Sequence, residues 1–423
     1  MKTIEKKYLI PFCLVTLLFL LWGIANNMTD TLLSAFKRIM SMTDTQTSFI
    51  QFAFYGSYFC FALPAALFIR KYSYKSGVIL GLILYAAGAI LFFPASQVAS
   101  YIFYLIAIYI LAGGCSILET TANPYILAMG DPKTATRRLN IAQAFNPLGS
   151  ITGILLSQFF ILSELNSATA TEREAMTETQ LAEIQSHELS AVTGTYMTLG
   201  FVLLAIMVIM LLVKMPKGGD DSKDSVKESF SRLFKNKKYI FGVVAQFFYV
   251  GAQIGVWSYT IRLVMQELGI NEANSATYYL ISIICFSSAR FLFTWLMKWL
   301  RPSKLLLWAS VADIIFSGLV IIFSGTGTTC IIALISISFF MSLMFPTIYG
   351  IALEDVGSDA KIGASGLIMA ILGGALITPL QGLVSDASSI NISYIVPLIC
   401  FVVVLLFSIY VEKHTTKEVK EIE

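Results

Sequence analysis

Charge is scarce in this chain. Of its 423 residues 13% are Asp, Glu, Lys or Arg, whereas 57% are hydrophobic and the mean hydropathy is +0.75, a balance that excludes an ordinary soluble domain. Histidine is scarcer still, with His187 and His414 both outside the apolar stretches. The six cysteines (Cys13, Cys60, Cys115, Cys285, Cys330 and Cys400) stand singly in apolar segments without ligand spacing, which argues against both a metal module and a disulfide scaffold. No glycine-rich phosphate loop followed by Lys and Ser or Thr is present, so neither ATP nor any other cofactor is expected. The net charge of +3 gives no reason to expect nucleic acid as a partner.

What the chain has is apolar length. Runs of about 20 residues or more, enough to span a bilayer, recur at 8–31, 46–69, 76–96, 101–129, 139–163, 190–213, 239–266, 274–297, 305–324, 328–353, 362–385 and 391–411. Backbone groups cannot stay unpaired in hydrocarbon, and these runs are too long for alternating barrel strands, so twelve transmembrane helices and an all-α integral membrane protein are expected. The first run ends in polar Asn26, Asn27 and Asp30 without a small-residue cleavage pattern, which argues against a removed signal peptide.

Polar segments supply the organisation. With both termini in the cytoplasm, 24 of the 29 lysines and arginines fall on the inner side, as the positive-inside rule requires. The longest polar interior stretch divides the chain into an N-terminal six-helix bundle (1–213), a cytoplasmic linker (214–238) and a C-terminal six-helix bundle with a short cytoplasmic tail (239–423). The halves echo each other weakly at an offset of roughly 225 residues: a basic turn follows the second helix of each (RKYSYK, KWLRPSK) and a charged turn the fourth (GDPKTATRR, LEDVGSDAK). Repeated bundles with a site between them near the midplane are the pattern of secondary transporters, here the major facilitator fold, and a monomer in contact with membrane lipid is expected. The outer segment 163–190 reads either as a short amphipathic piece over the outer mouth or as a disordered loop.

Two carboxyl groups stand inside apolar runs, Asp30 in the first and Glu119 in the fourth. A carboxylate at the bilayer centre costs roughly 3 kcal/mol, so such groups usually face a cavity or a partner and often carry protons. Helical spacing sets Trp22, Asn26, Asn27 and Asp30 on neighbouring parts of one face. Amides, a carboxyl group and an indole suit a sugar, whose hydroxyls need donors and acceptors and whose C–H face packs on an aromatic wall; alternatively the asparagines bridge helices. Gln143 and Asn146 again share a face, although Asn146 before Pro147 also reads as a kink with its amide spent on freed carbonyls. Gln246, Tyr249, Gln253 and Trp257 form a second amide and aromatic stripe that mirrors the first helix. Arg290 and Asp313 are further intramembrane charges, most economically read as an interhelical pair. Glu354 and Asp355 lie at a helix end, either in inner-gate ion pairs with Arg290 or Lys298 or as solvated surface charge.

Taken together, LWGIANNMTD, SGVILGLILYAAGAILFFPA, LETTANP, LNIAQAFN, AQFFYVGAQIGVWSY and SARF resemble the family of L-fucose:proton symporters and related bacterial hexose carriers, from about Pro11 to Ser385. The resemblance implies a proton-coupled sugar importer of the bacterial inner membrane and not an enzyme. It puts the proton-and-sugar carboxylate on Asp30, a second protonatable carboxyl on Glu119, sugar-binding amides on Asn27, Gln143 and Asn146, and cavity tryptophans on Trp22 and Trp257. Thr29, Pro147 and Asp313 depart from the family pattern, and members that differ at such places carry glucose, galactose or amino sugars. An uncoupled sugar facilitator is the alternative that Asp30 and Glu119 discriminate against.

Overall fold

The computed structural model describes residues 4, 6–40, 44–98, 100–166, 168, 172–173, 175–216 and 225–422; side chains at 29–35, 37–38, 44–48, 51, 272–273 and 415–422 lie outside that description. All regular structure among the described residues is helical, and twelve spans among them are long and apolar enough to cross a bilayer. In chain order the helices are α1 (Leu9–Ile39), α2 (Asp44–Lys71), α3 (Tyr74–Ile90, continued by Phe92–Val98), α4 (Tyr101–Ala128), α5 (Ala135–Gln143 and Phe145–Phe160), α6 (Glu178–Leu212), α7 (Val226–Lys235), α8 (Lys237–Leu268), α9 (Glu272–Leu296), α10 (Pro302–Ile322), α11 (Thr328–Met341 and Met344–Ala352), α12 (Ala360–Met369 and Gly373–Ala387) and α13 (Ile395–Ile422). At 1.5 Å per residue α1 is about 46 Å long, well beyond a hydrocarbon core of about 30 Å.

Local chemistry sets the ends and the breaks. Ser73, Asn236 and Asn271 accept from backbone amides at the starts of α3, α8 and α9, Pro302 opens α10, and Gly269 closes α8 in the left-handed region at φ 64. The polar linker contains α7, begun by a capping box of Ser225 and Glu228 and tied to the segment before α12 by Arg232 on Asp359, at 2.7 and 2.8 Å. The amphipathic piece expected over the outer mouth is not separate: Thr177 and Gln180 form a capping box from which α6 runs unbroken to Leu212. Helices α5 and α11 each break one residue or two before a proline turn, at Ala144 and at Ser342–Leu343. Pro147 and Pro346 have no N–H to give the carbonyl four residues earlier, so the carbonyls of Gln143 and Ser342 are left to find donors elsewhere.

Internal contacts divide the chain into two compact units, one of Ile10–Ala122 with Leu148–Lys217 and the other of Met1–Leu9, Asn123–Pro147 and Gly218–Glu423. In the first, α5 crosses α1 so closely that a Cβ at Gly149 would overlap the Leu20 carbonyl oxygen, and one at Gly153 would come within 2.6 Å of that of Ile24. The second unit repeats the device between α12 and α8: a Cβ at Gly373 would overlap the Phe247 carbonyl, while Ile377 packs on Gly251. From Gly149 to Gly373 is 224 residues and from Leu20 to Phe247 is 227, so the offset seen between the charged turns also relates the closest helix crossings. Outward faces carry Phe52, Ile102, Phe159 and Leu383 well exposed, an apolar surface that only lipid accommodates.

Candidate functional site

In the first unit, small residues bring the acidic helix in. Gly113 lets α4 lie against Phe61 of α2, and a Cβ at Gly114 would overlap the backbone of Tyr85 on α3. Ser57 donates to the Tyr109 carbonyl at 2.6 Å and Ser116 to that of Tyr58 at 3.0 Å, stapling α2 to α4. Glu119, one turn beyond Ser116, is thereby buried (5% exposed) with the Tyr58 hydroxyl as its neighbour. On α1, Asn26 and Asn27 are half-buried; Asn27 donates to the Gly23 carbonyl at 3.2 Å, while the buried Oδ1 of Asn26 accepts no hydrogen bond among the described residues. Trp22, expected to line a cavity, is 2% exposed with its ring 4.5 Å from that of Phe19. Asp30 belongs to α1, and its side chain lies outside the described residues.

In the second unit Arg290 is the organising group. Its Nε donates to the Ser342 carbonyl at 2.6 Å and its Nη1 to the Gln143 carbonyl at 3.0 Å, the two carbonyls that Pro346 and Pro147 deprive of their helical donors. Charge-assisted bonds of this kind contribute about 1.5–3 kcal/mol each. The guanidinium lies 4.6 Å from the centre of the Phe286 ring, and Phe286 meets Trp257 edge to face at 5.0 Å. Trp257 donates from its indole N–H to Ser338 at 3.3 Å, and it and Gln253, one turn earlier, are half-buried. Gln143 donates from its amide to Asn123 at 2.8 Å, and Asn140 donates to Thr347 at 3.3 Å. Half-buried Asn146 follows on the far side of the α5 break. Thus an aromatic corner, a fixed guanidinium and several amides come together on α5, α8, α9 and α11.

Several expectations need correction. Arg290 and Asp313 do not pair: the arginine is spent on freed carbonyls, and neither oxygen of wholly buried Asp313 has a hydrogen-bond partner among the described residues. Glu354 and Asp355 pair with Lys238, at 2.7 and 3.4 Å, rather than with Arg290 or Lys298, because the helix end carrying them meets the start of α8. Tyr249 does not line an open surface; it is wholly buried, and its hydroxyl donates to the Met341 carbonyl at 3.0 Å. Gln246 on the same stripe is also wholly buried, with neither amide atom hydrogen-bonded among the described residues. Phe286 and Ser338, which complete the aromatic corner, were not singled out by sequence; a Phe one turn before an intramembrane Arg was the available signal. Among the described residues no group of three or more His, Cys, Asp and Glu is placed to hold a metal.

The Major Facilitator Superfamily model matches residues 13–377. The L-fucose-proton symporter of Haemophilus influenzae is 44% identical, over 96% of this chain and 97% of that protein, and that of Escherichia coli is 36% identical over 96% and 93%. A glucose/galactose transporter of Brucella abortus is 30% identical over 96% and 95%. A crystal structure of a facilitator transporter, FucP, in the outward conformation superposes with a TM-score of 0.89 at 36% identity, covering 96% of this chain and 99% of that one.

Proposed function

Since the chain belongs to the Major Facilitator Superfamily and, within it, to the family of L-fucose-proton symporters, we propose that it imports L-fucose together with a proton by alternating access. The observation that carries this reading is the 44% identity over nearly the whole length of both chains, and the chemistry of the two units agrees with it. Each unit by itself offers groups that suit a deoxy sugar, the first the half-buried amides of Asn26 and Asn27, the second half-buried Gln253 and Asn146 with the half-buried indole of Trp257: amides donate to and accept from hydroxyls, and an aromatic face packs on C–H groups. Asp30 and Glu119 are the proton carriers. A neutral Asp30 donates to a sugar hydroxyl, and an empty carrier with a bare carboxylate pays a burial penalty that opposes its return until the proton has left. One proton crossing about 150 mV supplies roughly 3.5 kcal/mol, enough for a gradient of a few hundred-fold.

The excess of Lys and Arg on one side supports cytoplasmic termini and placement in the bacterial inner membrane, and a monomer suffices for this chemistry. Glucose and galactose carriage is the second reading, favoured by the 30% identical relative. The test is reconstitution of the full chain in vesicles under an imposed gradient, acid outside. Accumulation of labelled L-fucose that unlabelled L-fucose abolishes and excess D-glucose or D-galactose spares is the expected result. Competition by the two hexoses instead moves the assignment to the second reading, and equilibration without accumulation makes the protein an uncoupled facilitator.

A further inference from the structure

Helix α7 carries an apolar stripe outside the contact that holds it to the fold. Its buried residues, Ser229 and Leu233, pack on the starts of α8 and α12; a Cβ at Gly363 would touch Leu233, and Arg232 beside them bonds Asp359. Val226, Phe230 and Phe234 follow one another at single-turn spacing, which puts them on one line next to that face. The rings of Phe230 and Phe234 stack at 6.2 Å, yet Phe234 is 72% exposed and Val226 39%. The stretch that leads into the helix, KGGDDSKD at 217–224, has no apolar side chain to cover them.

Charge and depth say what meets the stripe. Between Val226 and Lys238 five basic residues stand against one acid, Glu228, which is spent on capping the first turn. Arg232 is taken by Asp359, and Lys238 by Glu354 and Asp355. Lys227, Lys235 and Lys237 are exposed and form no ion pair among the described residues. Such an excess of positive charge disfavours a second copy of the same helix and favours an anionic surface. Asn236 alone separates α7 from α8, a membrane span, so the stripe is held at the bilayer boundary. A helix with aromatic and aliphatic groups on one side and lysines on the other suits that boundary.

We propose that α7 is a membrane-surface helix that binds anionic phospholipid. Val226, Phe230 and Phe234 enter the region between headgroups and acyl chains, and Lys227, Lys235 and Lys237 hold lipid phosphates. Arg232 and Leu233 make the start of α12 part of the same anchorage. The asymmetry of Lys and Arg assigns the cytoplasmic leaflet, and the binding itself does not rest on the transport reading.

The test uses the full chain in vesicles of phosphatidylcholine with a minor share of phosphatidylglycerol in both leaflets. A photoreactive p-benzoylphenylalanine replaces Phe234 or, on the polar face, Ser231, both exposed positions that accept it without repacking. Mass spectra of the illuminated chain read which molecule has been captured, with no need for transport. At position 234 a phospholipid adduct is expected, severalfold richer in phosphatidylglycerol than the bilayer, whereas position 231 captures little. High salt, or Lys227→Gln, Lys235→Gln and Lys237→Gln together, should return the adducts to the composition of the bilayer. Three results overturn the proposal: capture at 234 of a second copy or of another segment of this chain in place of lipid, equal capture of lipid at 231 and 234, or adducts whose composition ignores the three lysines. If the photoreactive chains do not fold, the unaltered protein decides. Native mass spectra from mixed-lipid micelles should show phosphatidylglycerol retained by it and lost severalfold by the triple glutamine variant, and equal retention contradicts the proposal.

Discussion

Arg290 shows how an intramembrane charge is held without an opposite charge. Its two partners are carbonyls freed by prolines far away in sequence, Pro147 and Pro346. Removing the guanidinium strands both in a dry interior, so Arg290→Ala is expected to lower stability by about 3–5 kcal/mol. Pro147→Ala restores an N–H to Gln143, and the double variant should recover part of that loss. Thermal midpoints of the four proteins of this cycle check it, and simple additivity contradicts the account. Glu119→Gln removes a protonatable group while keeping its shape; L-fucose exchange should persist and accumulation above the external level should stop, measured in the same vesicles. Sequence reading picked out Arg290 by its charge and sought a carboxylate for it. A helical stripe reveals which residues share a face, but not which backbone carbonyl a distant proline has freed, nor that Tyr249 would be sealed in by Met341. Gln253 and Trp257, on the same stripe, keep the partial exposure that a lining group needs.

At the level of helices, the closest crossings rest on glycine. Gly149 on Leu20 and Gly373 on Phe247 meet backbone, which cannot rotate aside. Gly149→Ala and Gly373→Ala should each cost about 1–3 kcal/mol or more through overpacking. Gly194→Ala, where a Cβ meets nothing within 4 Å, should be neutral or stabilising by about 0.5–1 kcal/mol. Melting of the three variants in one detergent separates them, and equal behaviour would remove the crossings as the cause. The runs of hydrophobic residues made twelve helices legible, but their ends were less so. The segment 163–190 read either as a short amphipathic piece or as a disordered loop, whereas Thr177 caps the start of α6 there and a buried pair, Arg173 on Glu188 at 3.0 Å, ties the preceding residues to it. Caps and buried ion pairs override local polarity, and sequence alone does not show which charge finds its partner.

For the whole molecule, the two halves share a packing scheme as well as an order of helices. The offset that relates the charged turns relates the glycine crossings, and the same offset sets Asp313 where the first half has Tyr85. Trp295 on Trp299 at 4.4 Å and Lys304 over Trp308 at 5.2 Å, beside Lys298 and Arg301, form an aromatic and basic belt at the turn between α9 and α10, as an interface with anionic headgroups favours. Fold and family were legible because lipid imposes length and polarity on every span. The polar connections were not, because they depend on which helices touch. Sugar and proton cross together in this scheme, and external pH in a weakly buffered, de-energised suspension of cells expressing the chain is the first quantity to measure. Addition of L-fucose should raise that pH, and the rise should vanish in Asp30→Asn. Uptake of labelled L-fucose without any change in pH would contradict the account.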